Sequence, residues 1–170
     1  ALEEDTRSLS DTPHPLLGPA TCNIGVIRGG VQINFVPDRC EIEIDRRLLP
    51  GETVEVVLAH YQSIVDTVAR DTNDMQVITH PPMLTDLPLQ TDHQTDAVQT
   101  MVQVLEQCSL PSDVCGVPFC SDASKFGALG IPSLIMGPGS IDQAHAAVEY
   151  VDCDQVERAV EIYHRYLLSF

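Results

Sequence analysis

Apolar and polar positions change rhythm along the chain, and the rhythm predicts elements. In "TCNIGVIRGG" Cys22, Ile24 and Val26 alternate with smaller or polar residues, the two-residue period of a strand. Gly29-Gly30 then reads as a hairpin turn. "VQINFVPDRCEIEIDRRLLPGE" continues as a long strand, bent at Pro37-Asp38 and ended at "PGE". In its second half Cys40, Ile42 and Ile44 fall on one face. Glu41, Glu43, Asp45 and Arg47 fall on the other. Residues 53–70 place Val54, Val57, Leu58, Tyr61, Ile64, Val65 and Val68 at helical spacing, the stripe of an amphipathic helix. "MQVITHPPML" reads as a further strand at a sheet edge, because of Pro81-Pro82.

The character shifts near Leu87–Thr91. A second helical stripe runs through Ala97, Val98, Met101, Val102 and Leu105. "VCGVPF" predicts a short strand. "SDASKFGALG" opens with capping chemistry at Ser121 or Asp122 and closes at Gly130. "IPSLIM" predicts a strand covered on both faces. Val156, Ala159, Val160, Tyr163, Tyr166 and Leu167 predict the final helix. The expected class is α/β. Residues 1–88 would form an antiparallel sheet with helices on one face. Residues 89–170 would form a piece of a parallel-type α/β layer.

Composition removes several functions. The chain has 170 residues with 25 acidic against 9 basic ones, a net charge of -16. A surface this acidic repels phosphate backbones, so no nucleic-acid partner is expected. No apolar run approaches a membrane span, and no membrane partner is expected. No leader opens the chain, and "ALEEDTRSL" reads as the end of a helix already under way, so a fragment or processed chain is expected. The six cysteines form no CxxC pair and read as buried, reduced thiols of a cytoplasmic protein.

Two loops follow predicted parallel strands, where α/β proteins place their sites. One carries Ser121 and Asp122. The other, "GPGSIDQAHAAVEY", carries Gly137, Gly139 and His145. Histidine is both a common zinc ligand and an acid/base group near neutral pH. A zinc site needs three or four protein ligands, and no second ligand stands at metal-binding spacing near His145. No GxSxG elbow, GxGxxG or Walker loop is present. Helix capping alone also accounts for Ser121 and Asp122. The strand face with Asp45 and Arg47 reads either as solvated surface or as the wall of a cleft.

"GVPFCSDASKFGALGIPSLIMGPGSIDQAHAAVEYV" resembles the C-terminal motif block of the zinc-dependent aminoacylase/carboxypeptidase superfamily. That superfamily includes acetylornithine deacetylase, succinyl-diaminopimelate desuccinylase and glutamate carboxypeptidase. "GGVQINFVPDRCEIEIDRRLLPGE" resembles its lid, or dimerisation, domain. The resemblance implies a ferredoxin-like lid lacking its first strand over 1–88. It implies the C-terminal part of the α/β/α catalytic domain over 89–170. It implies two zinc ions, or cobalt or manganese, in the intact protein, and hydrolysis of an N-acyl amino acid or short peptide by a metal-activated water. His145 matches the last metal ligand of that pattern. Asn34 and Arg47 match positions that hold the substrate carboxylate or the oxyanion, as catalytic and substrate-binding residues. Ser121, Asp122, Gly137 and Gly139 match pocket-lining positions. The remaining metal ligands and the general base of the family lie in an N-terminal half that these 170 residues lack, so the chain alone is expected to be inactive. A homodimer through the lid is implied. The alternative is a non-catalytic dimerisation or binding module of the same descent. Two local readings stay open beside these: Arg47 as a salt-bridge partner of Asp45 or Glu43, and Asn34 as a turn residue before Pro37.

Overall fold

The structure, a computed structural model, describes residues 2–9, 12–72 and 75–170, with Glu3 described for its backbone only. The elements are α1 (Leu2–Ser8), β1 (Thr21–Gly29), β2 (Cys40–Arg47), α2 (Val54–Asp71), α3 (Asp96–Gln107), α4 (Ala123–Ala128), a 3-10 turn (Ile141–Gln143) and α5 (Cys153–Leu167). The class is mixed α/β, with an antiparallel sheet and helices, as the patterning predicts. The expected opening helix is α1; Ala1 lies outside the described residues. The chain divides into two compact units. One is Ala1–Pro88 with Gly116–Cys120, and the other is Leu89–Cys115 with Ser121–Phe170.

In the first unit β1 and β2 pair antiparallel, with Ile24 opposite Ile44, Ile27 opposite Ile42 and Cys22 opposite Arg46. Directly opposed residues share a face, so these form the apolar side. The other side holds Arg28, Glu41, Glu43, Asp45 and Arg47, as the alternation predicts. Two details differ from the sequence pattern. A bulge between Ile24 and Val26 moves Val26 opposite Glu43, onto the charged side, and Ile27 takes up the apolar position. The connection between the strands is also longer than a Gly-Gly hairpin. Residues 30–39 form a ten-residue loop rather than strand, and Asn34 sits in a turn closed by the Phe35 N–H on the Gln32 carbonyl at 3.2 Å.

β2 ends at a tight turn. The Glu52 N–H returns to the Leu49 carbonyl at 3.0 Å, with Gly51 at φ 92°, the left-handed conformation that a Pro-Gly type II turn requires. Thr53 then caps α2 by accepting from the Val56 N–H at 3.3 Å. The predicted α2 stripe is half-buried at Val54, Val57, Tyr61, Ile64 and Val65, while Leu58 and Val68 stay exposed. Beside it, His60 Nε2 meets Asp5 Oδ1 at 2.5 Å, linking α2 to α1.

The second unit centres on Met101, Val104 and Ile162, with Leu105, Cys108, Leu110, Leu134, Met136 and Tyr166 packed around them. The most buried side chain, Val104 at 2% exposure, and Ile162 at 5% lie outside the predicted stripes. Conversely Val156, Val160, Tyr163 and Leu167, members of the predicted stripe, are exposed. α5 therefore turns Ala159, Ile162 and Tyr166 inward. The Tyr166 hydroxyl donates to the Ala97 carbonyl at 3.1 Å, at the start of α3. α3 ends in a Schellman motif: the Leu110 N–H reaches the Leu105 carbonyl and the Ser109 N–H the Glu106 carbonyl, both at 2.9 Å, with Ser109 at φ 56°.

Three segments predicted as strands, "MQVITHPPML", "VCGVPF" and "IPSLIM", have no strand ladder; among the described residues the sheet is two-stranded. A strand exists through its neighbour's ladder of hydrogen bonds, and among the described residues only β1 and β2 share one. Side chains secure "IPSLIM" instead. The Thr91 hydroxyl donates to the Ser133 carbonyl at 2.5 Å, and the Tyr163 hydroxyl donates to the Met136 carbonyl at 2.8 Å. Ile78, Met83, Leu84, Ile131 and Ile135 are exposed in these segments. All six cysteines are free, but only Cys22 and Cys108 are partly buried. Cys40, Cys115, Cys120 and Cys153 are exposed, a correction to the expectation of buried thiols.

The exposed surface totals 12947 Å² for 18.6 kDa. Two separate compact proteins of half that mass would together expose about 9,900 Å². The excess is roughly 3,000 Å² on that scaling. It is surface that ordinary compact folds cover.

Candidate functional site

In the first unit the candidates are Asn34 and Arg47. They do not converge. Asn34 lies in the loop that enters β2 at Cys40, and Arg47 closes β2 at its far end. Eight residues of strand put about 24 Å between Cys40 and Arg47. Arg47 is held by two neighbours. Its Nε and Nη2 donate to one oxygen of Asp45, at 3.0 and 2.8 Å, and its Nη1 donates to the Cys120 sulfur at 3.1 Å. The hydrogen bonds and the charge of Asp45 keep the guanidinium firmly protonated. The local salt bridge to Asp45 therefore exists. Cys120 opens the loop that carries Ser121 and Asp122, but nothing in the sequence pairs it with Arg47, 73 positions away.

Arg46 points to the opposite side of the sheet. It forms a two-pronged contact with Glu52, Nη1 to Oε2 at 3.2 Å and Nη2 to Oε1, and its Nη1 also reaches the Arg47 carbonyl. Burial is deep here: the Arg46 side chain is 10% exposed, and its Nε has no hydrogen-bond partner. The Tyr61 hydroxyl, close to the Cys22 thiol and also without a partner of ordinary length, is pushed well above the usual phenol range, first by burial and then by that thiol.

In the second unit the candidates are Ser121, Asp122, Gly137, Gly139 and His145. Ser121 folds α4. Its Oγ accepts the Ala123 N–H at 3.2 Å, and its carbonyl accepts both the backbone N–H and the hydroxyl of buried Ser124. Asp122 pairs with Lys125 at 2.5 Å, which holds its carboxyl below the usual range. The Gly137–Gly139 loop is tied to α5: Gly139, at φ 92°, donates its N–H to Gln155 Oε1 at 2.8 Å. A Cβ at Gly139 would stand 3.3 Å from Val151 Cγ2, so glycine fits on two counts.

His145 follows the 3-10 turn. It is exposed and adopts φ 60°, a left-handed conformation that costs a side-chain-bearing residue about 1–2 kcal/mol. Its backbone N–H donates to Glu149 Oε2 at 3.4 Å, so Glu149 engages the main chain there rather than the ring. Among the described residues no group of three or more His, Cys, Asp or Glu could hold a metal ion. The donors on this chain thus do not by themselves fit a zinc ion, which needs three or four protein ligands.

Residues 3–73 match the family model described as the peptidase dimerisation domain. Acetylornithine deacetylase of Proteus mirabilis is 29% identical over 171 residues, covering 99% of this chain and 42% of the relative. The likeness to a named deacetylase therefore extends beyond the residues that match the dimerisation domain. N-acetyl-L-citrulline deacetylase of Xanthomonas campestris is 30% identical over 143 residues, 84% of this chain and 37% of the relative. Both relatives are deacetylases by name, and the chain spans about two fifths of their length. The crystal structure of aminopeptidase PepT from Bacillus cereus superposes with a TM-score of 0.67 at 22% identity, over 96% of this chain and 44% of that one, a likeness of fold. No helix among the described residues is long and apolar enough to cross a membrane.

Proposed function

We propose that the chain is the lid (1–88) and the C-terminal catalytic portion (89–170) of a metal-dependent hydrolase that cleaves the amide bond of an N-acyl amino acid or a short peptide. The observation that supports this most is His145. An exposed histidine stands in a strained left-handed conformation, six residues beyond a glycine loop anchored to α5, at the position that matches the superfamily's last metal ligand. Strain at a polar, exposed residue is the pattern of a retained functional group. His145 would be one ligand of a zinc, cobalt or manganese set whose other members lie outside these 170 residues. Arg47 and Asn34 would hold the substrate carboxylate or the oxyanion, and Ser121, Asp122, Gly137 and Gly139 would line the pocket.

The separation of Asn34 from Arg47 along β2 favours a homodimer. Within one copy the strand keeps them apart, so joint use of both at one substrate calls for Asn34 of one copy and Arg47 of another. The match to a dimerisation domain supports the same assembly. That match also favours a second reading, a non-catalytic dimerisation or binding module. The two readings part on one experiment: turnover of N-acetyl amino acids by a full-length protein carrying this sequence, with and without His145→Ala. Loss of turnover in the variant supports the hydrolase. Absence of turnover in the metal-loaded, unmutated protein supports the module. The 170-residue chain alone should show neither turnover nor tight, stoichiometric zinc binding by titration calorimetry.

A further inference from the structure

The charged face of the hairpin sorts its ion pairs unevenly. Arg28 stands opposite Glu41 and contacts both Glu41 and Glu43. Asp45 stands opposite Asn23, an uncharged residue, and Thr21 stands opposite Arg47. Asp45 and Arg47 are two residues apart on the same side of β2, so they have each other as partners. One Asp45 oxygen takes both Nε and Nη2, the whole side edge of the guanidinium. Arginine has five N–H bonds arranged as a fixed planar fork. Asp45 consumes two and the Cys120 sulfur takes one on Nη1. One N–H on each Nη remains, and the one on Nη2 lies at the end of the fork. Asp45 and Arg47 are 53% and 52% exposed, so a solute can reach that end.

We propose that Asp45 is the positioning residue of Arg47: it claims the Nε/Nη2 edge and leaves the Nη1/Nη2 end, bordered by the Cys120 thiol, as the seat for the substrate carboxylate. This rests on the reading of Arg47 as a carboxylate-binding residue and specifies which face of the guanidinium does the binding. Arg47, Asp45 and Cys120 all belong to the first compact unit, so the arrangement is internal to it. An arginine held along one edge loses less freedom when it binds at the other. The thiol at the rim limits the group that can follow the carboxylate there.

The test uses the 170-residue chain with ¹⁵N-labelled arginine and N-acetylglycine as the carboxylate probe. On titration the Arg47 Nη signals should shift while its Nε–H stays in place. In Asp45→Asn the Nε–H should shift as well, because the side edge is released. If the Nε–H of the unmutated chain moves as far as in that variant, Asp45 does not reserve the edge, and the proposal fails while carboxylate binding by Arg47 stands. If no Arg47 signal responds, the carboxylate-binding reading fails and this inference with it. A second arm needs no change at Asp45. Carboxymethylation by iodoacetate places a negative charge at the rim and should weaken probe binding about tenfold or more, the effect of one like charge at close range. In Cys120→Ser the same reagent should change nothing further. Undiminished binding after modification of Cys120 would remove the thiol from the seat and overturn the proposal.

Discussion

The contact between Arg46 and Glu52 sets the end of β2, and its removal gives a measurable prediction. Glu52→Ala strips the carboxylate from an arginine that is 10% exposed and whose Nε already has no partner. Breaking a buried pair by deleting one member costs about 3–5 kcal/mol. Glu52 is itself 29% exposed, so water relieves part of this, and the lower end of that range or slightly below it, about 2–3 kcal/mol, is appropriate. Glu52 Oε2 also accepts the Leu49 N–H at 2.6 Å, and that loss adds about 1 kcal/mol. The total is about 3–4 kcal/mol. With a urea slope of about 2 kcal/mol/M, the midpoint should fall by about 1.5–2 M. The assay is urea unfolding followed by circular dichroism, with amide exchange of the β2 residues as the local reporter. The control is the pair Arg46→Met with Glu52→Leu. It removes both charges and should cost less than the single change by about 2 kcal/mol, since an uncompensated buried charge is the main penalty. If Glu52→Ala costs under about 1 kcal/mol, or the double variant costs as much as the single one, the uncompensated Arg46 is not what destabilises the chain.

Further outcomes follow from the same geometry. His145→Gly should be more stable than His145→Ala by about 1 kcal/mol, because glycine accepts the left-handed φ that alanine resists; equal urea midpoints would show that the conformation is not strained. At Ser109, φ 56° in the Schellman motif, glycine should likewise stabilise over alanine by about 1 kcal/mol, read by thermal unfolding. Val104→Ala opens the centre of the second unit and should cost about 2–3 kcal/mol, from two lost methyl groups plus the cavity they leave. Tyr61 gives a pH dependence. Its folded value lies above the ordinary phenol value near 10, so the folded chain holds that proton more tightly than the unfolded one. Its contribution is complete below about pH 10 and declines as pH rises toward the folded value. Tyr61→Phe should flatten the alkaline loss of stability; an unchanged alkaline limb would show that Tyr61 ionises freely in the fold.

How much of this was legible depended on whether the signal was local. The alternation Glu41, Glu43, Asp45, Arg47 gave the correct face of β2, because side-chain direction along a strand needs only the chain itself. The same rule misplaced Val26, since a bulge adds one residue and reverses parity beyond it; the signal was Gly25, a lone glycine inside the strand pattern. On the helices, stripes located α2, α3 and α5 but not which flank of the stripe packs. Val104 and Ile162 won the interior, and Val160 and Leu167 did not, because the partner helix decides that. "IPSLIM" and "MQVITHPPML" carry the composition of strands, yet a strand requires a neighbour that composition does not supply. The contact from Arg47 to Cys120 is the extreme case, a meeting across 73 positions with no pattern to read. Exposed Ile131, Ile135, Met83 and Leu84 fit the same logic. Their sequence is that of covered sheet, and the excess surface is the area such a cover would take. Any protein surface that gives these segments a hydrogen-bonded edge should convert them to strand, and infrared amide bands of the chain with and without such a protein bound would register the gain.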